Sequence, residues 1–225
     1  MANSNVRIES LEECIRARHS IRQYTNKAVP QELLLDSLAL AQLAPSNSNI
    51  QNWRVHFASG AARDRIVEDM LVTAKLKGPN VPALPEHFKH FRSEFGHELY
   101  GARGYNIPRH DKEGLSNARL RNYEFFGAPV IGVISMHQDL AMVDAMSVGM
   151  FVQTLMLALT ERGLGTCLQV SVAGYPEVLK RGFKLEHDQM ILCGICIGWP
   201  AVDAAVNNMH IGREDIAKEI TFLTE

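Results

Sequence analysis

The sequence predicts an α+β fold in which helices outnumber strands. Several segments have apolar residues at helical spacing, whereas three shorter segments have the alternating or continuous apolar pattern of strands. No linker-like stretch divides the 225 residues, so we expect a single domain over residues 1–225. With 46% hydrophobic and 21% charged residues, the composition is typical of a globular protein and argues against a disordered one.

Two helices are predicted in the first 45 residues. Ser10 and Glu13 have the spacing of a capping box, and the apolar pattern that follows predicts a short helix reaching Arg18. Pro30 suits the first position of a second helix, whose apolar residues recur until the chain reaches Pro45.

The middle of the chain predicts one strand and two further helices. Residues 53–58 alternate as in a half-buried strand, and helical periodicity returns over residues 66–74. Residues 78–85 are rich in proline and predict a loop, which we interpret as part of an inserted, lid-like segment at about residues 76–120. A mostly aromatic helical stripe follows, and it packs either on the core or beside a ligand: Phe88, Phe91, Phe95 and Leu99.

The second half predicts two buried strands, at residues 129–136 and 189–197, and a long helix over residues 139–162 that ends at Gly163. Residues 140–160 are almost continuously apolar and about long enough to cross a bilayer. Polar residues interrupt this run, which favours a helix buried in the core or in a subunit interface. These residues are Asp144, Gln153 and Thr154.

Composition and missing motifs exclude several function classes. The net charge of −2 and the lack of a dense Lys/Arg run give no reason to expect nucleic acid or a membrane surface as a partner. The first ten residues lack the pattern of a signal peptide, so we expect a cytoplasmic protein. The sequence contains no dinucleotide-binding glycine motif, P-loop, serine-hydrolase elbow or zinc-protease motif.

The four cysteines are too few for a disulfide framework and fit reduced thiols. Cys193 and Cys196 have C-x-x-C spacing, but residues three apart on a strand point to opposite faces, so we expect packing thiols. His87 and His90 lie three apart on a predicted helix without a third ligand at suitable spacing. We therefore predict no metal site.

One basic segment is a candidate anion site. Arg18 and Arg22 lie four residues apart, with the hydroxyl of Ser20 between them and the imidazole of His19 beside them. Such a group offers charge-assisted donors to a phosphate and to a polar planar ligand. Basic residues at a helix end also interact with the helix dipole or with solvent, and this segment alone leaves that alternative open.

A series of motifs changes the interpretation of this segment. R-H-S-x-R-x-Y at residues 18–24 is followed by A-P-S-N-S-N-I-Q-N-W at 44–53, G-L-G-T-C-L-Q-V at 163–170, G-W-P at 198–200 and a late Arg213. Together they resemble the nitroreductase family of FMN-dependent oxidoreductases. The resemblance implies an FMN-binding fold with a central mixed or antiparallel sheet flanked by helices. It also implies a homodimer with two FMN sites at its interface.

The resemblance implies a flavin role for each motif. Arg18 and Ser20 would serve the phosphate and ribityl tail, with His19 beside them, and Arg22 would approach flavin N1 and O2. Asn49 would lie on the pyrimidine edge, the backbone near Val170 would face N5, and Arg213 would join the phosphate site. The remaining implied flavin-site residues are Pro45, Ser46 and Asn47 from the partner subunit, with Gln51, Leu168, Gln169 and Ser171.

Two positions depart from the family pattern. Ile211 stands where the family has a lysine two residues before the late arginine, and Asn52 stands where it normally has a proline. The first departure leaves Arg213 as the transferable part of the C-terminal motif. The second puts the local turn geometry in question.

By this resemblance, the flavin accepts hydride from NADH or NADPH and passes it to a nitroaromatic, a quinone or another conjugated electrophile with ping-pong kinetics. No protein nucleophile is required. The candidates to stack on the acceptor, each with a core role as the alternative, are Tyr105, Tyr123, Phe125 and Phe126.

Three other functions stay open at this point. The same fold supports other flavin reactions, such as dehalogenation, dehydrogenation or flavin fragmentation. A regulatory FMN-binding module with little turnover is a second alternative, and a helical interaction domain without a cofactor is the third.

Overall fold

The computed structural model describes residues 10–224, and their elements follow the predicted order. The predicted domain also includes residues 1–9 and 225, which lie outside the described residues. The helices are α1 (Leu11–Ala17), α2 (Gln31–Ala41), α3 (Gly60–Lys77), α4 (Lys89–Tyr100), α5 (Lys112–Leu120), α6 (Met142–Glu161), α7 (Val170–Ala173), α8 (Pro176–Phe183) and α9 (Ile216–Glu219). The strands are β1 (Arg54–Ser59), β2 (Val130–His137), β3 (Gly165–Gln169) and β4 (Gln189–Gly198).

The strands form one sheet in the order β1-β2-β4-β3, and every neighbouring pair is antiparallel. Helices cover both faces, so the predicted α+β class with a central sheet is confirmed. Within residues 10–224, the parallel pairing is limited to an isolated bridge between Ser20 and Thr166. That bridge attaches the basic segment to the edge strand β3.

Alternate residues of β2 point to opposite faces and enter different hydrophobic clusters. Val130 and Ile134 pack with α2 and α6, whereas Ile131 and Val133 pack with α3 and α8. The same alternation in β4 separates the two C-x-x-C residues. Cys196 lies in the cluster with α3 and α8, whereas Cys193 packs against the cluster with α2 and α6. The expectation that these thiols face opposite sides is confirmed.

Helix α6 lies on the sheet and stacks Phe151 on Trp53, with ring centroids 4.8 Å apart. It ends at Glu161, and the predicted glycine, Gly163, follows the cap residue with a φ of 77° that is easy for glycine. Among the described residues, α6 is the one helix long and apolar enough to cross a membrane, but half of its apolar window is buried inside the protein. Packing in the core therefore explains part of its apolar sequence.

The opposite face of α6 is left exposed by residues 10–224 of the single chain. Met142 is 89% exposed, and Met146, about one helical turn later, is 66% exposed. Val143 and Met150 extend this exposed apolar surface along the helix. An apolar surface of this kind on a helix needs a cover.

The segment at residues 76–120 consists of a loop followed by α4 and α5. Its base is fixed because the Asn80 side chain donates to the Gly174 carbonyl at 2.7 Å and the Asn80 N–H donates to the Tyr123 hydroxyl at 3.2 Å. Its far end packs through Leu99 on residues of the C-terminal part of the chain, Val206 and Met209. The segment therefore reaches from the sheet face that α3 and α8 cover to the C-terminal loop that contains Val206 and Met209.

Several short elements were not predicted. Strand β3 has five residues and is buried along most of its length, so no alternation marks it. Helices α7 and α9 have four residues each, which is too short for a periodic pattern. Helix α8 does carry a signal, since Pro176 occupies its first turn, as is common at helix starts.

Candidate functional site

A pocket of about 490 Å³ lies where three distant parts of the chain meet. Residues 15–22 form one wall, residues 206–213 form another, and Phe95 of α4 contributes from the inserted segment. The volume falls in the range of pockets that hold cofactor-sized ligands, roughly 300–1,000 Å³. The basic segment found in the sequence therefore faces a cavity.

The basic segment takes this position because it pairs with β3. The Ile21 N–H donates to the Thr166 carbonyl at 2.9 Å, next to the bridge between Ser20 and Thr166. A Cβ added at Gly165 would lie 2.5 Å from Ile21, so the close approach requires glycine there. The pairing places residues 18–22 beside the start of the 168–171 segment.

The pocket is strongly positive. Arg18, Arg22 and Arg213 line it, and none of the described lining residues is Asp or Glu. Arg16 also lines it, but its guanidinium forms an ion pair with Glu12 at 2.7 Å. The Arg213 guanidinium donates to the Ile211 and Gly212 carbonyls and to no carboxylate among residues 10–224. Uncompensated guanidinium groups of this kind suit an anionic ligand.

His19 lies between two backbone carbonyls at the rim of this pocket. Its Nδ1 is 2.6 Å from the Ala17 oxygen and its Nε2 is 2.6 Å from the Asn207 oxygen. A carbonyl oxygen only accepts hydrogen bonds, so in each contact the ring nitrogen is the donor. The ring thus ties the end of α1 to the C-terminal wall.

Asn207 joins the two walls and was not found from the sequence. Its side chain is buried, and its Oδ1 accepts hydrogen bonds from the N–H groups of Arg22 at 2.8 Å and Gln23 at 3.1 Å. Its Nδ2 donates to the carbonyls of Gln23 at 2.7 Å and Ala201 at 3.0 Å. A single asparagine in a loop has no local pattern, so its role emerges only when residues about 185 positions apart meet.

Arg22 connects the pocket with the inserted segment. Its guanidinium carbon lies 5.1 Å from the centroid of the Phe95 ring, a cation–π contact. Tyr105 lies close by, with its ring under the guanidinium of Arg121 at 4.8 Å. Burial raises the pKa of Tyr105, while Arg121 and Arg22 act in the opposite direction. The Tyr105 hydroxyl is buried and has no hydrogen-bond partner among the described residues.

Ser20, which lines the pocket, lies against the buried Cys167. Burial raises the pKa of the Cys167 thiol, and the nearby Arg22 charge and the Ser20 hydroxyl oppose that shift. The thiol is only 3% exposed. Cys167 therefore supports the pocket wall as a neutral packing group.

The loop at residues 45–51 does not line this pocket in its own chain. It lies on α6, where the Asn47 N–H donates to the Ser147 hydroxyl at 3.2 Å and the Asn47 side chain donates to Asp144 at 3.2 Å. Ser48, Asn49 and Gln51 all have φ between 45° and 57°. Left-handed conformations in residues other than glycine cost energy and are often found at ligand sites.

Other members of this loop are held by local hydrogen bonds. The Gln51 N–H donates to the Ser46 hydroxyl at 3.0 Å, and the Gln51 side chain donates to the Asn49 carbonyl at 3.0 Å. Pro45 and Asn49 are exposed beside this turn. Asn52 is buried, and its side chain donates to the Asp144 carbonyl at 3.0 Å. Asn52 thus fixes the turn to α6 with a hydrogen bond that a proline has no means to make.

The end of β3 and the start of α7, residues 168–171, present backbone and apolar groups. Leu168 is 37% exposed and Val170 is 53% exposed, and α7 begins at Val170. The N–H groups of its first turn, including that of Ser171, have no partner within the helix. The Gln169 side chain is buried, donates to the Asn122 carbonyl at 2.7 Å and accepts from the Cys196 thiol. Gln169 can therefore offer a ligand its backbone but not its amide.

Three of the four aromatic candidates for acceptor binding are core residues. Tyr123 is 1% exposed, Phe125 is fully buried and Phe126 is 6% exposed, and all three belong to the cluster on the α3 face of the sheet. Their burial favours the core role that the sequence left open, and a role in stacking on the acceptor stays a prediction. Tyr105 belongs to the inserted segment, is half-buried and stays a candidate.

The model of the nitroreductase family matches residues 15–199 of the chain. The chain belongs to the nitroreductase family. This match confirms the resemblance carried by the motifs and includes the first three of them. It ends before residues 206–213, the wall that completes the pocket.

Characterised relatives of this nitroreductase-family chain align over nearly its full length. A nitrobenzene nitroreductase of Ectopseudomonas oleovorans is 32% identical, with 96% of this chain and 97% of the relative covered. A 4-nitrobenzoate reductase of Nocardioides sp. is 28% identical, with 96% and 91% covered. A solved structure of the FMN- and NADPH-dependent nitroreductase NfnB from Sphigopyxis sp. matches with a TM-score of 0.89 at 28% identity, covering 96% of this chain and 100% of that one.

The residues of this family member fit the flavin mononucleotide that the family uses. The phosphate needs cationic donors, and the pocket supplies Arg18 and Arg213 without competing acids among the described lining residues. The ring system needs a cation near its pyrimidine edge, and Arg22 lies at the deeper, half-buried end next to Phe95. Ile211 also lines the pocket but brings no charge, so the positive charge at the C-terminal wall comes from Arg213 with His210 beside it.

Proposed function

We propose that this enzyme is an FMN-dependent oxidoreductase that takes hydride from NADPH or NADH and reduces nitroaromatics, quinones or similar conjugated electrophiles in a ping-pong cycle. The observation that carries the proposal is one positive pocket built from three distant segments, which gathers Arg18, Arg22 and Arg213. Bound FMN would supply the redox chemistry by accepting and releasing hydride at N5. The protein then needs to bind, orient and shield, and it needs no nucleophile.

Arg18, Arg213 and the Ser20 hydroxyl would hold the phosphate. Each charge-assisted hydrogen bond to a phosphate oxygen is worth roughly 1.5–3 kcal/mol. His19 supports this end by tying Ala17 to Asn207. The phosphate site therefore depends on both walls of the pocket.

Arg22 would face N1 and O2 of the flavin. A cation at that edge stabilises negative charge there, which favours hydride uptake. The neighbouring backbone at residues 168–171 would lie along the ring system, with the N–H of Val170 aimed at N5. The exposure of Leu168 and Val170 supports this role, since their backbone is available to a planar ligand.

The homodimer belongs to the same proposal. The exposed apolar face of α6, with Met142, Val143 and Met146, supports it because this face is uncovered in one chain. Residues 45–51 lie directly on α6, so a second chain on that face would bring Pro45, Ser46, Asn47, Asn49 and Gln51 to its flavin site. Two active sites would then form at the interface.

The proposal also includes the location of the enzyme, the extent of its domain and the role of its inserted segment. We place the enzyme in the cytoplasm, as one domain over residues 1–225. Residues 76–120 would act as the lid over the acceptor side, which the contact of Phe95 with Arg22 supports. Tyr105 is the aromatic residue of this segment that we assign to acceptor binding.

The NADPH dependence and nitroaromatic substrates in the relatives' names favour NADPH as donor and a nitroaromatic as acceptor. The test is an absorbance spectrum of the purified protein, followed by anaerobic titration with NADPH and, separately, NADH. We expect a flavin spectrum that bleaches with the donor and recovers when nitrobenzene or a quinone is added. A colourless protein that binds no added FMN contradicts the proposal, and a flavin that bleaches without turnover of any acceptor points to a regulatory module.

A further inference from the structure

We propose that Asn207 is a positioning residue for the redox end of the pocket and acts through Arg22. Arg22 takes its role from the proposed function, so the inference rests on that function. Asn207 itself belongs to the C-terminal wall, outside residues 15–199 that match the family model. It connects that wall to the basic segment at Arg22.

The Asn207 side chain uses every hydrogen-bonding position of its amide. The oxygen accepts two backbone N–H groups, from Arg22 and Gln23, and the nitrogen donates to two backbone carbonyls, of Gln23 and Ala201. An asparagine amide has two donors and one oxygen with two lone pairs, so no capacity remains for a ligand. Asn207 therefore acts on the protein and not on the cofactor.

The position of Arg22 depends on this contact. The bond from the Arg22 N–H to Asn207 fixes the backbone from which the guanidinium extends, and its length of 2.8 Å is that of a well-formed hydrogen bond. The guanidinium itself has weaker support, a 3.3 Å hydrogen bond to the Ser20 carbonyl and the contact with Phe95. Without Asn207, the backbone of residue 22 loses its partner on the C-terminal wall.

The Asn207 backbone adds a second connection to the same segment. Its carbonyl oxygen accepts from Nε2 of His19 at 2.6 Å. One residue thus holds two members of the basic segment, His19 and Arg22, and the next residue, Gln23. An electrostatic effect on a ligand depends steeply on the placement of the charged group, so this support affects how well Arg22 stabilises reduced flavin.

The experiment compares Asn207→Ala with Ser37→Ala. Ser37 is also buried, and its hydroxyl donates a hydrogen bond to a backbone carbonyl, that of Leu33, but it lies on α2 and does not line the pocket. The control therefore measures the effect of removing a buried polar side chain outside the pocket. Both holoenzymes are prepared with saturating FMN, so weaker FMN binding does not enter the rates.

The readouts are the midpoint potential of bound FMN and the rate of its reduction by NADPH. We expect Asn207→Ala to slow flavin reduction by about tenfold and to shift the potential to more negative values, in the same direction as Arg22→Ala, because the cation no longer sits well at the flavin edge. Ser37→Ala should change the rate far less. In an Arg22→Ala background, Asn207→Ala should change the rate by less than about twofold, because residues that act through one another are not additive.

Two results overturn the inference while leaving the proposed function intact. One is a flavin midpoint potential in Asn207→Ala that equals that of the wild type. The other is a decrease of about tenfold in the reduction rate when Asn207→Ala is added to Arg22→Ala, as large as in the wild-type background. If Asn207→Ala does not fold, Asn207→Ser, which keeps a hydroxyl at this position, is measured in the same way with the same expectations. Failure of the wild-type protein to bind FMN or to oxidise NADPH overturns the proposed function and this inference together.

Discussion

The side chain of Asn47 donates a hydrogen bond to the buried carboxylate of Asp144, 97 residues later in the chain, at 3.2 Å. The other carboxylate oxygen accepts from the Ala141 N–H at 3.0 Å, which caps the start of α6. Asp144 is only 6% exposed, and these donors give its buried oxygens hydrogen-bond partners. One carboxylate therefore fixes both the helix that carries the proposed interface and the loop that would reach the partner's flavin.

Asp144→Ala should reduce the free energy of unfolding by about 1–3 kcal/mol, because buried donors lose their acceptor. Urea unfolding of the variant and the wild type measures the difference. Asp36→Ala is the matched control, since Asp36 is exposed on α2. Equal losses in the two variants would show that Asp144 adds no specific support.

Arg18→Ala should lower FMN affinity by at least about tenfold, because one charge-assisted partner of the phosphate is lost. Quenching of FMN fluorescence during titration measures the dissociation constant. Arg65 is exposed on α3 and does not line the pocket, so Arg65→Ala controls for the loss of one positive charge. Wild-type affinity in Arg18→Ala would refute the assignment of Arg18 to the phosphate.

The elements predicted well from the sequence are those with strong local patterns. The capping box at Ser10 forms as expected, and α6 follows from a long apolar run with Gly163 after it. Strand β3 exists because it pairs with β4 and with the basic segment, and these contacts leave no periodic trace in five residues. Local patterns therefore predict long elements better than pairing-dependent ones.

In the candidate site, too, some residues are predicted by local motifs and others are not. Arg18, Arg22 and Arg213 were selected by motif, and the pocket brings all three together. Asn207 carries no motif, since its hydrogen bonds join segments that only the folded chain places side by side. The aromatic residues before β2 were ambiguous because burial of Phe125 depends on how helices cover the sheet.

Arg22→Ala should retain FMN better than Arg18→Ala does, yet its flavin should be reduced more slowly by NADPH. The reason is that Arg22 faces the ring edge in the proposed site, whereas Arg18 faces the phosphate. Stopped-flow absorbance at saturating FMN measures the reduction rate, and fluorescence titration measures affinity. Reduction at the wild-type rate would remove the redox role of Arg22.

Phe95→Leu should speed FMN release by about fivefold, because a cation–π contact of about 1 kcal/mol between the inserted segment and Arg22 is lost. Release is followed by the rise in FMN fluorescence after dilution. Phe91 lies one helical turn earlier on α4 and is 40% exposed, so Phe91→Leu makes the same change outside the pocket. If both variants release FMN equally fast, the contact with Arg22 is not what retains it.

Burial raises the pKa of the Cys193 thiol from 9.0 to about 11, so the thiol form dominates in the folded protein at pH 8. Roughly a thousandth of the Cys193 side chains are then thiolate, and that fraction rises about tenfold per pH unit up to the pKa. Because the folded-state pKa lies above the unfolded one, the stability contributed by the neutral thiol is complete below pH 9.0 and is lost as the pH rises towards 11. Reaction of the native protein with a disulfide reagent should therefore be slow at pH 8 and accelerate steeply by pH 10. Cys193 is the one partly exposed thiol among the four cysteines. The variant Cys193→Ala should therefore remove that reaction. Rapid labelling of the native wild type at pH 8 would contradict the buried, neutral state of this thiol.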